Sequence, residues 1–212
     1  MTTEGPANPW QPPVEAPPVP WERIERSLRL AHQSRNPHLL SPVKPASTRR
    51  AAVAVVLWGG RSGARKLVLV QRGFGAPQHA GELAFPGGMV EDQDRDLPGT
   101  ARRELDEELG VRDGLWEMCC FPDGVAKSRT RFTPVFFRWE VPEPRFDIGY
   151  EIQEALLLPL GPLMTAPWTL QTIERAGLTF TLPRLELPKV PLWGATAAVL
   201  KAWLDLLSAV DE

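Results

Sequence analysis

Arg103-Glu104-Leu105-Asp106-Glu107-Glu108-Leu109-Gly110-Val111 holds the residues of this chain best suited to chemistry. Read as a helix, the run sets Glu104, Glu107 and Glu108 at i, i+3 and i+4, so three carboxylates leave one face within reach of each other. Such a ridge repels itself by about 0.2–0.5 kcal/mol per like-charged i, i+4 pair, so it calls for a positive partner. Arg103 lies four residues before Glu107 and can hold that carboxylate, but one guanidinium does not neutralise three acids. A hard divalent cation does. Mg2+ takes oxygen ligands, keeps several waters, and binds through one or two carboxylates together with the phosphate oxygens of a substrate. The competing reading is a solvated acidic face balanced by Arg102 and Arg103. Phe85-Pro86-Gly87-Gly88 upstream favours the metal, because a glycine-bearing segment can bring backbone against the same ridge.

Positioning these groups requires a helix at about 98 to 109. Leu105 and Leu109 lie four residues apart on a separate face that can anchor it in a core. Gly110 suits the left-handed position that ends a helix, and Pro98 and Thr100 stand where a start signal belongs. The valine-rich run Ala51 to Trp58 and the run Leu67 to Gln71 flank Gly59-Gly60-Arg61-Ser62-Gly63, which is turn chemistry, so they are expected to make a buried hairpin. Further strands are expected at about 83 to 86, 115 to 121, 132 to 141, 152 to 158 and 178 to 186, with a final helix at about 194 to 208. Apolar residues at 21, 24, 28 and 30 predict an amphipathic helix that caps the domain. Residues 1–20 hold seven prolines and read as a flexible tail rather than a docking peptide, which leaves one domain over 21–212.

Composition sets the outer bounds. At 212 residues the chain fits one domain with additions, taking roughly 100–200 residues per domain. A net charge of −2 argues against a nucleic-acid coat, whose binders carry a basic face. No apolar run reaches the ~18 residues of a membrane span, and the N-terminus lacks the charged and apolar regions of a signal peptide. The expectation is a soluble cytoplasmic protein, monomer or homodimer, acting on a small molecule. Cys119 and Cys120 are neighbours in an expected strand, so their side chains point to opposite faces and neither a disulfide nor a zinc site follows.

RELDEELGV at 103–111 resembles the second half of the Nudix box, Arg-Glu-(apolar)-x-Glu-Glu-x-Gly-(apolar), at every fixed place. The first half departs from it: Gly88 lies fifteen residues before Arg103, one more than the common spacing, and Asp94 stands where the box has glutamate. The longer form GGMVEDQDRDLPGTARRE is similar to the Nudix subgroup that hydrolyses coenzyme A. LVLVQRGFGAPQHAGELAFPGG at 67–88 resembles that subgroup's signature, with Arg72, Gly81, Phe85, Pro86, Gly87 and Gly88 in matching places and Pro77 where an arginine belongs. VPLWGATAAVL at 190–200 resembles the segment that opens the subgroup's last helix, so the likeness spans about residues 50 to 205.

The resemblance implies an α/β fold, a Nudix-type α/β/α sandwich with a mixed β-sheet. It implies Mg2+ or Mn2+ held by Glu104 and Glu108, with Glu107 completing the cluster by binding a further ion or orienting water, and Arg103 holding Glu107. Gly87 and Gly88 would admit the phosphate, and the Gly87 carbonyl can reach the metal. Arg72 and His79 would contact the anionic ligand, although His79 can equally be a loop hydrogen-bonder. The general base stays open among Glu107, Glu151 and Glu154. Trp168, Phe180 and Trp193 could line an adenine or pantetheine pocket or simply pack. The implied reaction is hydrolysis of the diphosphate linkage of coenzyme A or acyl-CoA, giving 4′-phosphopantetheine and adenosine 3′,5′-bisphosphate. Pro77 keeps open another nucleoside diphosphate derivative, such as ADP-ribose, a dinucleotide or an oxidised nucleotide. A silent binding module is the reading from a different class, and the retention of Glu104, Glu107 and Glu108 argues against it.

Overall fold

The computed structural model describes residues 10–11, 18–33, 49–59, 64–73, 80–126, 130–175 and 178–210. Helix α1 (Trp21–Gln33) precedes strands β1 (Arg50–Gly59) and β2 (Arg65–Arg72). There follow β3 (Leu83–Ala84), β4 (Gly87–Met89), α2 (Leu97–Leu109), β5 (Leu115–Cys120), β6 (Gly124–Val125), β7 (Arg131–Trp139) and β8 (Ile152–Pro159). The short α3 (Leu160–Met164), β9 (Thr169–Arg175), β10 (Leu178–Arg184) and α4 (Gly194–Ala209) complete the order.

Eight of the described strands form one mixed sheet, in which β1 runs parallel to β7 while its pairings with β2 and β4 are antiparallel. The period of two along each strand sorts the apolar side chains between two cores. Ala52, Ala54 and Val56 of β1, with Val68 and Val70 of β2, pack against Leu105 and Leu109 of α2. Val55, Leu57, Leu67 and Leu69 turn the other way, onto Ile24 and Leu28 of α1 and Leu200, Trp203 and Leu204 of α4. Strands covered on both faces read as continuous apolar runs, which is why β1 and β2 were legible. The architecture is the expected α/β/α sandwich. Cys119 and Cys120 are free thiols, and they pack against opposite cores as strand alternation requires.

The expected hairpin is only partial. β1 and β2 pair from Leu57↔Leu67 to Gly59↔Arg65 and then diverge. The segment 83–89 fills the gap: β3 pairs with Val70 and Gln71 of β2, β4 pairs with Ala51 to Val53 of β1, and the Ala54 N–H donates to the Pro86 carbonyl at 2.7 Å. The single strand expected at 83–86 is thereby split, because Pro86 has no N–H to offer a ladder. Strand β9 was not expected. It pairs only with β10, buries no continuous face and leaves Leu170 75% exposed, so it carries no core pattern to read. Within the stretch read as a tail, the Trp10 N–H donates to the Glu186 carbonyl at 2.7 Å and Val19 is buried.

Candidate active site

Helix α2 begins where Asp96, in extended conformation, accepts the Gly99 N–H at 2.7 Å on its side chain, an N-cap one turn before the buried stripe. It ends at Gly110, whose φ of 65° is left-handed, with the Gly110 and Val111 N–H groups returning to the Asp106 and Leu105 carbonyls. The loop before β8 caps the same end from outside, through Asp147 N–H to the Leu109 carbonyl and Gly149 N–H to the Glu108 carbonyl, both 2.9 Å. The helix is therefore tied at both ends, and Leu105 and Leu109 fix its rotation.

That rotation divides the three glutamates. Glu104 and Glu108 turn inward toward β4, with side chains 13% and 9% exposed, while Glu107 lies outside at 56%. The Glu104 carboxyl sits where a side chain on Gly88 would begin: a Cβ there would lie 2.3 Å from Oε1. Glu108 Oε2 accepts the Gly87 N–H at 3.2 Å, and its Oε1 lies 3.2 Å from Arg72 Nη1. Arg72 also reaches Glu151 Oε2 through Nη2 at 2.8 Å. Burial pushes both inner carboxyls up. Glu108 rises to about 7, with Glu104 adding to the shift and Arg72 and the Gly87 N–H opposing it. Glu104 is raised by the same loss of water, opposed by Arg103.

Arg103 is the hub of the outer side. Its Nη1 lies 2.8 Å from Glu107 Oε2 and 2.9 Å from Glu104 Oε1. Its Nη2 donates to the Met89 carbonyl at 2.9 Å, and its Nε donates to Asp94 Oδ1 at 3.1 Å. Asp94, the residue that departs from the box pattern, keeps its side chain only 4% exposed. It also accepts the Thr100 hydroxyl and the Glu91 N–H, each at 2.9 Å. Sequence reasoning left Asp94 without a role. Its place six residues after Gly88 was the signal, and the Arg103–Asp94 contact is what could not be read from spacing.

The structure thus brings Arg72, Gly87, Gly88, Arg103, Glu104, Glu107, Glu108 and Glu151 together. His79 and Pro77 lie outside the described residues. Glu154 is taken up by Lys189, whose Nζ is 2.8 Å from both carboxylate oxygens. Trp168 is tied into packing through Nε1 to the Leu163 carbonyl at 3.0 Å, and Trp193 forms the start of α4. Among the described residues, no three acidic, histidine or cysteine groups converge as a ready metal cage, and Glu107 turns out onto Arg103.

The inner pair nevertheless fits a hard divalent cation. Two acidic side chains one turn apart, largely withdrawn from water and facing a side-chain-free backbone, offer the oxygen donors such an ion takes. Mg2+ is ordinarily bound by one or two carboxylates, with waters and substrate phosphate completing its shell, so a closed cage is not required. Mn2+ accepts the same oxygen donors.

A family model described as NUDIX domain matches residues 48–175. The chain is 32% identical over 87% of its length to "Probable nudix hydrolase C6G9.05" of Schizosaccharomyces pombe, and covers 65% of that protein. It is 37% identical over 189 residues to the Nudix hydrolase NudL of Shigella flexneri, covering 83% of this chain and 93% of the other. A shorter stretch of 73 residues is 37% identical to "Peroxisomal coenzyme A diphosphatase ndx-8" of Caenorhabditis elegans, 34% of this chain and 31% of that protein. The chain spans less than two thirds of the first curated relatives it matches, at 65%, 46% and 24% of their lengths. In fold it is similar to a C. elegans Ap4A hydrolase crystal structure, with a TM-score of 0.50 and 17% identity over 76% of this chain and 96% of that one.

Proposed function

The chain belongs to the NUDIX domain family, and on that premise we propose that it is a divalent-metal-dependent pyrophosphohydrolase acting on coenzyme A or acyl-CoA. One observation carries the reaction class: the buried Glu108 and the part-buried Glu104, four residues apart on α2, face the bare backbone of Gly87 and Gly88. The substrate assignment is supported by the likeness of segment 67–88 to the coenzyme A signature and by the short similarity to a protein named as a coenzyme A diphosphatase.

In this reading Glu104 and Glu108 hold Mg2+ or Mn2+, which when bound neutralises charge on the phosphoryl oxygens of the diphosphate. Gly87 and Gly88 let the diphosphate approach the backbone without a side chain intervening. Arg103 holds the Glu107 carboxylate and locks α2 to Asp94 and to the Met89 carbonyl, so the ridge cannot rotate away. Water attacks one phosphorus, the P–O bond of the anhydride breaks, and the departing phosphate keeps the bonding electron pair. The proton lost by water goes to Glu107 or Glu151, the half-exposed carboxylates of the site. The products are 4′-phosphopantetheine and adenosine 3′,5′-bisphosphate.

Pro77, which stands in place of a basic residue, favours a second reading: the same hydrolysis on another nucleoside diphosphate derivative. Product chromatography after incubation with Mg2+ or Mn2+ and a panel of coenzyme A, ADP-ribose, NADH and nucleoside triphosphates separates the two. Coenzyme A is expected to give the highest kcat/KM. A higher value for another member would move the substrate assignment, and no turnover with any of them would return the chain to the class of binding modules.

A further inference from the structure

Both oxygens of Glu108 already have partners. Oε2 receives the Gly87 N–H, and that donor is fixed because β4 is laddered to β1 and wedged against α2. Oε1 receives Arg72, and that donor is different: its other terminal nitrogen is already seated on Glu151 at 2.8 Å, a carboxylate 48% exposed at the rim. A cation that takes a Glu108 oxygen competes with these two donors, and of the two only Arg72, itself a cation, has somewhere else to go. Among the described residues its Nε is buried without an acceptor, so the guanidinium has donors to spare for an incoming anion. A planar fork of this kind matches phosphate bidentately.

We propose that Arg72 is the resident counter-ion of Glu108, which a divalent cation displaces, and that the displaced guanidinium pivots on Glu151 to grip a phosphate of the substrate. The inference rests on the metal site proposed above. It gives Arg72 two successive partners and Glu151 the role of the hinge on which it turns. Loading the cation then builds the phosphate contact, so metal and diphosphate bind with positive coupling.

Mn2+ binding to the full chain without substrate, read from the electron paramagnetic resonance of the free ion, tests it directly. Arg72→Gln and Arg72→Lys are both expected to tighten Mn2+ by about tenfold, because lysine keeps the charge but cannot span two carboxylates. The same variants are expected to raise KM for coenzyme A. Unchanged Mn2+ affinity in Arg72→Gln overturns the exchange, and so does wild-type affinity in Arg72→Lys, which would mean that only net charge matters. Glu104→Gln is the control for the site itself. If it binds Mn2+ as wild type does, the metal lies elsewhere and both readings fall; if it loses Mn2+ while the Arg72 variants match wild type, only the exchange falls. Circular dichroism checks folding. Should the Arg72 variants not fold, Glu151→Gln replaces them: removing the hinge is expected to weaken Mn2+ about threefold, and unchanged affinity overturns the proposal.

Discussion

Asp94 and Arg103 show what a single contact contributes. The bond from Arg103 holds the Asp94 carboxyl down at about 2 from an ordinary 3.8, helped by the Glu91 N–H and the Thr100 hydroxyl and opposed by burial. A carboxyl depressed in the fold stabilises it above the unfolded pKa, and that stabilisation disappears as pH falls through the folded one. The metal-free protein should therefore lose about 2 kcal/mol between about pH 5 and pH 2 on account of this group. Acid titration followed by circular dichroism checks it. Asp94→Asn should flatten that part of the curve, and Asp94→Ala should cost about 3 kcal/mol at pH 7 by leaving buried guanidinium donors unpaired. Spacing alone linked Arg103 to Glu107; it could not show Asp94, nine residues away and ahead of the helix start, closing over the same guanidinium.

At the scale of elements, the decisive piece is the β3–β4 segment driven between β1 and β2. Two adjacent glycines in it meet different surroundings. A Cβ on Gly87 would lie 2.5 Å from the Ala52 carbonyl oxygen and 2.7 Å from the Val53 Cα, both backbone of a central strand. The three atoms nearest a Cβ on Gly88 all belong to the carboxyl end of Glu104, a side chain that can shift. Gly87→Ala should accordingly cost about 3 kcal/mol in urea unfolding, because the sheet must open. Gly88→Ala should cost less than about 1 kcal/mol yet lower kcat/KM about a hundredfold if Glu104 holds the proposed metal, because it displaces that carboxylate by roughly an ångström. Equal stability losses in the two variants would contradict the wedge. The sequence marked both glycines as one phosphate-facing pair, and the split in their roles came from which strand each one touches.

Across the whole molecule, α1 and α4 brace the face of the sheet opposite the site. Trp203 is fully buried, with its ring edge-on to Phe136 at 5.0 Å and its Nε1 donating to Ser27 Oγ of α1 at 3.0 Å. Trp203→Ala should cost about 3–5 kcal/mol in thermal or urea unfolding, and Ser27→Ala about 1–3, by stranding the indole N–H. Both variants should keep wild-type kcat at temperatures where they remain folded, since α2, which carries Arg103, Glu104 and Glu108, packs on the other face of the sheet. The buried runs of β1 and β2 and the extent of α2 were written in local pattern, in valine runs, leucines four apart and a glycine suited to a helix end, while the sandwich was what the resemblance implied. Those signals are short-range, and helix and strand periodicity expose them to a reader of the chain alone. β9 was not legible, because none of its described side chains is buried and no core face imposes a period on it. Which glutamates turn inward, which partner each one finds, and that Arg72 lies against Glu108 were decided only by tertiary structure. Those outcomes depend on how α2 is rotated by its leucines and how far β1 and β2 diverge, and residues thirty-six positions apart meet there through packing that no local spacing encodes.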